Sequence, residues 1–493
     1  MRPSRKGIFV LNSTAKEFNM TRSRFRGLAI LLAGSATLAA CASVPDLGHR
    51  PEIRPARQFA TGQSFASSAA PWPRENWWSA YDDPQLDRLM SEALTASPDL
   101  AAASARLRAA QGYAQQAGAA LAPQIDATAS GGLVQQSENQ GIPSAFVPDG
   151  WEKTGKLGLT ASLDLDLWGK NRAAMAAAHS DIDAARFELA EARLVLTTGI
   201  AATYADLAKL YAQRDVLESQ LAIRSDTLKL VSDRVDAGLD TRAELKQAQS
   251  RVPAARAELA ATDEAIALTR NALAALTGAG PDRGLKIERP RVSLFAARGL
   301  PDNAGLDLVG RRPDIAAARA AVEAAANRIK VARTAFYPNI SISGLIGLQS
   351  LGFSNLLMGS SAFGNVGPAV TLPIFHGGAI SGQYRGARGK YDEAVARYDA
   401  GVVAAFKQVA DAVTSRNALT VRLNESRQAL ADAEEANALA RKRYEGGLST
   451  YLDVLNAEEG VLAARRTVAE LQTRAFTLDV AMVRALGGGF TTT

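Results

Sequence analysis

The side chains able to do chemistry are few and scattered. The three histidines, His49, His179 and His376, fall on different segments of the 493-residue chain. None stands at metal-ligand spacing to another, so no metal site is expected. There is no Gly-rich phosphate loop and no nucleophile elbow. The chain therefore reads as no enzyme, with no cofactor. Cys41 is the single cysteine, which rules out an intrachain disulfide. Two acids repeat a position: Glu244 lies six residues past Gly238, and Asp453 six past Gly447. Near a helix start such carboxylates are favoured by the dipole alone.

The formal charge of +6 comes from the leader. Residues 1–40 hold seven Lys/Arg and one acid, and the remainder carries 49 of each sign. A nucleic-acid partner is therefore not indicated. Arg22, Arg24 and Arg26 precede the apolar run "LAILLAGSATLAA", which is too short to span a bilayer and has the form of a signal peptide. Met20 is an alternative start to Met1. The last residues, Leu38, Ala39, Ala40 and Cys41, resemble a bacterial lipobox. That resemblance implies cleavage before Cys41, lipidation (palmitate) of the new terminus and, with Ala42 following, sorting to the outer membrane. No later stretch offers the roughly 18 unbroken apolar residues of a membrane helix. Any crossing must then be made by strands, because only helices and closed barrels satisfy their backbone in lipid.

The elements that would make such strands occur twice. "SPDLAAASARLRAAQGYAQQAGAALAPQIDATASGG" from Ser97 aligns without gaps to "RPDIAAARAAVEAAANRIKVARTAFYPNISISGLIG" from Arg312. Pro98 matches Pro313, and Pro123 matches Pro338. Each copy opens as a helix, with Ser97 the better cap and Arg312 the poorer. Heptad rows such as Ile315, Val322 and Ile329 beside Ala318, Ala325 and Ala332 predict close coiled-coil packing. After each proline the period changes to two. Strands are expected at about 124–135, 155–168, 339–349 and 364–375, each long enough to cross a bilayer at a tilt. In the second, Leu157, Leu159, Ala161, Leu163, Leu165 and Leu167 face one way. Gly158, Thr160, Ser162, Asp164 and Asp166 face the other. Long helices follow Gly169 and Gly378, the first running from Lys170 to about Val235. Each reaches a tight turn, Gly238–Thr241 and Gly447–Thr450, before an antiparallel return. The domain reading is a signal peptide 1–40, a lipidated segment 41–96, repeats 97–295 and 296–488, and a tail 489–493.

The order of "NWWSAYDDPQLDRLM" (76–90), "LDLDLWGK" (163–170), "RRPDI" (311–315), "ARTAFYPNISISGLIG" (332–347), "LPIFHGG" (372–378) and "RYEGGLSTYLDVLNAE" (443–458) resembles the TolC-like outer membrane factor family, in its lipoprotein branch. The resemblance implies that lipid covers the leucine face, with Thr160, Ser162, Asp164 and Asp166 lining a barrel lumen. Four strands cannot close a useful barrel alone. Physics permits two, three or four copies, and the family implies three. The expected fold is mostly α with a small β part, a trimeric α-helical barrel continued by a shared 12-stranded transmembrane β-barrel.

The implied function is the outer-membrane channel of a tripartite efflux system. It would passively conduct small molecules delivered by a proton-driven inner-membrane pump through a periplasmic adaptor. Alternatives are a duct for ATP-driven protein secretion and a periplasmic coiled-coil scaffold lipoprotein. By resemblance Asp453 sits at the periplasmic constriction. There three copies would select cations, with Glu244, Arg242 and Tyr444 in the same gate. Gly238, Leu239, Thr241, Gly447, Leu448 and Thr450 resemble adaptor-contact turns, and exposed leucines at a turn seek a partner. Asn456 departs from relatives that carry a second acid there.

Overall fold

The computed structural model describes residues 44–139, 141, 143–291 and 299–492. Cys41, the leader and the 295/296 repeat boundary lie outside them. Two compact units are present.

The first unit holds Ala114–Ala178 and Ala324–Asp392, with the described residues up to Arg50. Its centre is a four-stranded antiparallel sheet in the order β1-β2-β3-β4, where β1 is Gln124–Val134, β2 Glu152–Asp164, β3 Asn339–Leu351 and β4 Ala362–Thr371. The register joins like to like. Ala127 pairs with Leu159, which pairs with Ile346; Leu163 pairs with Ile342. On the opposite face Asp126 meets Thr160, and Ser162 meets Ser343. A slip of one residue would mix the two faces, so the alternation in each strand holds the register.

Two strands end earlier than the alternation predicts. β2 stops at Asp164 rather than Trp168. Asp166 takes a left-handed φ of 46°, and its carboxylate turns back onto the next helix. β4 stops at Thr371, two residues before Pro373, which has no N–H to continue a ladder.

The second unit holds Pro51–Tyr113, His179–Glu323 and Glu393–Thr493. Here lie α1 (Pro84–Ala96) and most of α2 (Pro98–Ala119). Helix α3 (Lys170–Asp236) and its later counterpart are 67 residues each, on the order of 100 Å at 1.5 Å per residue. α4 is Arg242–Leu276, α5 the single turn Asp282–Leu285, α6 Ala304–Arg311 and α7 Pro313–Thr334. α8 is Ala379–Glu445, and α9 is Tyr451–Ala485. The element lengths recur: 22 residues for α2 and α7, 35 for α4 and α9.

The core of this unit is built on Trp77, Trp78 and Tyr81 from the segment before α1, packed with Leu86, Leu89, Tyr204 and Phe476. Tyr81 donates to Asp479 at 2.6 Å, and Tyr204 to Asp83 at 2.7 Å. These bonds satisfy phenols that burial would otherwise make costly. Trp77 and Trp78 are therefore core residues. Arg312, a poor cap by type, is nonetheless buried. Its guanidinium holds Asp314 at 2.7 Å, Gln408 at 2.7 Å and the Ala485 carbonyl at 3.2 Å, tying α7 to α8 and α9.

Beside this knot Glu191 of α3 has a buried oxygen with no partner. Burial first, and then the Asp314 carboxylate, push its pKa from 4.5 up to about 7, against the pull of Arg312 and Arg484. A carboxyl whose folded pKa is raised adds stability below its unfolded pKa, and that stability is lost as pH rises through the folded value. Glu191→Gln should therefore melt above the parent at pH 8 and match it at pH 4.5, measured as the thermal midpoint in detergent. Parallel curves at both pH values would contradict this.

Candidate functional site

The candidate residues fall in two places, one in each unit. The first is the helical turns. At Gly238 and Gly447 φ is +71° in both cases, a backbone that Gly adopts without strain. Leu239 N–H bonds Arg234 O at 2.8 Å and Gly238 N–H bonds Val235 O at 3.0 Å. Leu448 repeats this on Arg443 at 2.7 Å, and Gly447 on Tyr444 at 3.0 Å. Both ends are thus Schellman closures. Thr241 caps α4, and the Glu244 carboxylate accepts from Thr241 N–H at 2.7 Å, completing a capping box. In the second turn the Asp453 carboxylate accepts from Thr450 N–H at 3.0 Å and from Thr450 O–H at 2.9 Å. The backbone bond to Thr450 is the chief reason the Asp453 pKa is lowered, so the exposed acid stays ionised at neutral pH. Glu244 and Asp453 are therefore helix-start residues by geometry, and both also reach water.

The turns leave their leucines out. Leu239 is 65% exposed and Leu448 74%. Arg242 is exposed as well. Tyr444 is fully buried; its hydroxyl donates to Asp240, and Arg234 pairs with the same carboxylate at 2.9 Å. The Arg234 guanidinium lies 4.5 Å from the Tyr444 ring centroid, within cation–π range. Within the chain, the cation that joins the two turns is Arg234. Sequence reasoning singled out neither Arg234 nor Asp240. The available signal was an Arg and an Asp six apart, bracketing a glycine turn. Further along, Arg224 and Arg251 share the Glu459 carboxylate at 3.0 and 2.9 Å. Thr227 donates to Glu458, whose pKa is raised by burial. Asn456 is exposed.

The second place is the sheet. Leu157, Leu159, Ile346, Val366 and Val370 are 37–81% exposed. β1 and β4 each have one paired edge among the described residues. Thr160 donates to the Asp126 carbonyl at 3.3 Å, and Ser162 is exposed. Asp164 accepts from the Asp166 N–H at 2.9 Å. Asp166 stands apart from these three. It lies beyond β2, is only 8% exposed, and accepts from the backbone N–H groups of Asn171 and Arg172 at 2.8 and 3.0 Å. Burial works against its charge, but those bonds and the Arg172 guanidinium prevail, so its pKa is lowered. Its carboxylate serves the start of α3 instead of a water face.

His49, His179 and His376 are all exposed, on different segments. No group of three or more His, Cys, Asp or Glu able to hold a metal occurs among the described residues, and no described helix is long and apolar enough to cross a membrane.

A sheet apolar on one face and polar on the other, its two outer edges unpaired among the described residues, in one chain with two long helical hairpins, is the pattern of a membrane channel. The chain belongs to the outer membrane efflux protein family, whose model matches residues 89–279 and 307–488. The fusaric acid resistance protein FusA of Burkholderia cepacia is 37% identical over 361 residues, 72% of this chain and 67% of that protein. The multidrug resistance outer membrane protein MdtP of Escherichia coli O6:H1 is 31% identical over 489 residues, 96% of this chain and 98% of the relative. The solved structure of the outer membrane protein VceC of Vibrio cholerae has a TM-score of 0.80 at 45% identity, covering 85% of this chain and all of that one.

The inter-turn contact is testable. Arg234 and Asp240 side chains are 12% and 8% exposed, and removing one partner of a buried pair costs about 3–5 kcal/mol. Losing one neutral donor costs about 1–3 kcal/mol. Arg234→Ala should therefore speed amide exchange across 234–242 and 443–450 far more than Tyr444→Phe does. Equal effects would show the ion pair to be incidental.

Proposed function

We propose that three copies of this chain pool their strands into a twelve-stranded barrel through the outer membrane, with the paired helices continuing as a periplasmic tunnel. The sheet carries this reading. Its apolar face is exposed, and its outer edges are unpaired among the described residues. In hydrocarbon each unpaired backbone group costs several kcal/mol, so β4 of one copy must meet β1 of the next. Water then fills the side lined by Thr160, Ser162 and Asp164.

The duct does no chemistry and holds no energy source. It works with a periplasmic adaptor and a proton-driven inner-membrane pump, and it passes the small molecules that the pump loads. Relatives are named for fusaric acid resistance, multidrug resistance, pyoverdine export and cation efflux. That spread supports a duct whose cargo is chosen elsewhere. Residues 1–40 are removed and Cys41 is acylated, leaving 41–96 as the anchored segment ahead of repeats 97–295 and 296–488 and the tail 489–493. Migration as a heat-modifiable outer-membrane trimer, with channel conductance in planar bilayers, tests the whole reading. A stable soluble monomer with intact fold would overturn it.

At the turns, three copies of ionised Asp453 form the periplasmic gate, with Glu244, Arg242 and the Tyr444–Asp240–Arg234 contact holding the closed state. Asp453→Ala should raise single-channel conductance; an unchanged value counts against the gate. Leu239 and Leu448, with Gly238, Thr241, Gly447 and Thr450 setting their backbone, meet the adaptor. Leu448→Asp should abolish efflux while the trimer survives on a gel. Loss of the trimer would instead assign Leu448 to packing.

A further inference from the structure

Lys156 of β2 shares a face with Thr160, Ser162 and Asp164, because it lies an even number of residues from each. Its cross-strand neighbours are Ser130 in β1 and Gln349 in β3. Its ammonium lies 5.3 Å from the ring centroid of Phe363 in β4. That ring is placed by glycine. Thr128, Gly158, Gly347 and Phe363 form one row across the four strands. A Cβ on Gly347 would come within 2.9 Å of the Phe363 ring, so the ring occupies the space left open beside that glycine. Among the described residues Lys156 has no carboxylate partner.

The other charges of this face are acidic. Glu152 and Asp164 stand four residues before and eight after Lys156 on β2, and Asp126 stands level with Thr160. Four residues of strand are about 13 Å, beyond the Debye length of about 8 Å at physiological salt. The neighbouring carboxylates therefore screen the lysine poorly, and its level keeps a positive potential within an acidic lining.

We propose that Lys156 and Phe363, repeated in three copies, form an anion-binding band in the lumen that takes organic anions with an aromatic portion. The ammonium holds the anionic group and the ring stacks the remainder. A cation meets a barrier at the same level. The inference rests on the barrel reading above and deepens it, naming a class of passing solute for which the duct itself is not neutral.

Planar-bilayer recordings in a KCl gradient test it, with benzoate as the blocking probe. Lys156→Gln should move the reversal potential toward K⁺ preference and weaken benzoate block about tenfold, the scale of one lost contact worth 1.4 kcal/mol. Lys156→Arg keeps the charge and should preserve both. Phe363→Leu should weaken the block while leaving the KCl reversal potential in place. The shift should vanish at 1 M salt, where the Debye length is about 3 Å. Conducting channels whose reversal potential and benzoate block are unmoved by Lys156→Gln would overturn the band. A parent protein that inserts and never conducts would overturn the channel reading instead.

Discussion

The constraint behind the rest of the structure is backbone pairing. β2 and β3 are inner strands and satisfy both edges within the chain; β1 and β4 satisfy one each. In water the free edges would be tolerable, though prone to aggregation. In lipid they would not be, and the exposed leucine, isoleucine and valine face is of the kind that barrel strands turn toward lipid. The two facts act together. An apolar face alone is compatible with a helix lying on it, and open edges alone with a fifth or sixth strand from the same chain. Here both remain among the described residues, and the proposed trimer answers both at once: in it, oligomerisation is a condition of folding in the membrane rather than an addition to it.

The helical ends follow a different logic. Their backbones are closed locally by glycine, threonine and a carboxylate, as the Schellman bonds and capping interactions show. A turn that satisfies its own backbone has no need of a neighbour to stay folded. Its exposed leucines are then free to be a contact, and the charges around it are free to be repelled or screened. The Arg234–Asp240–Tyr444 contact is different in kind. It joins one turn to the other and couples the two halves of the chain at their tips.

Much of this was legible in the residues. Matched prolines, the switch from heptad to alternation, and the paired glycine turns located the four strands and helices α2, α3, α4, α7, α8 and α9, because each signal is local; α1, α5 and α6 were not anticipated. Strand ends were less legible. The alternation runs on through Leu165 and Leu167, but Asp166 has a better use on the α3 N-terminus than on a ladder. Arg312 looked like a poor cap because its value is tertiary: three elements converge on its guanidinium. Arg234 escaped notice for the same reason, since its partners lie across a turn and on another helix. The expected leader and the lipobox-like segment ending at Cys41 lie outside the described residues.

The water face of the sheet shows why register carries more than fold. Pairing Lys156 with Ser130 and Gln349, and Phe363 with Gly347, sets a cation and an aromatic ring side by side from strands far apart in the chain. No local pattern announces that pair. The apolar face fixes it indirectly: once the leucines and isoleucines align on one side, the opposite side chains have no remaining freedom of register. The register held by the apolar face therefore also positions the polar one, and in the proposed barrel the lining of the lumen follows from the same interaction that would seat it in the membrane.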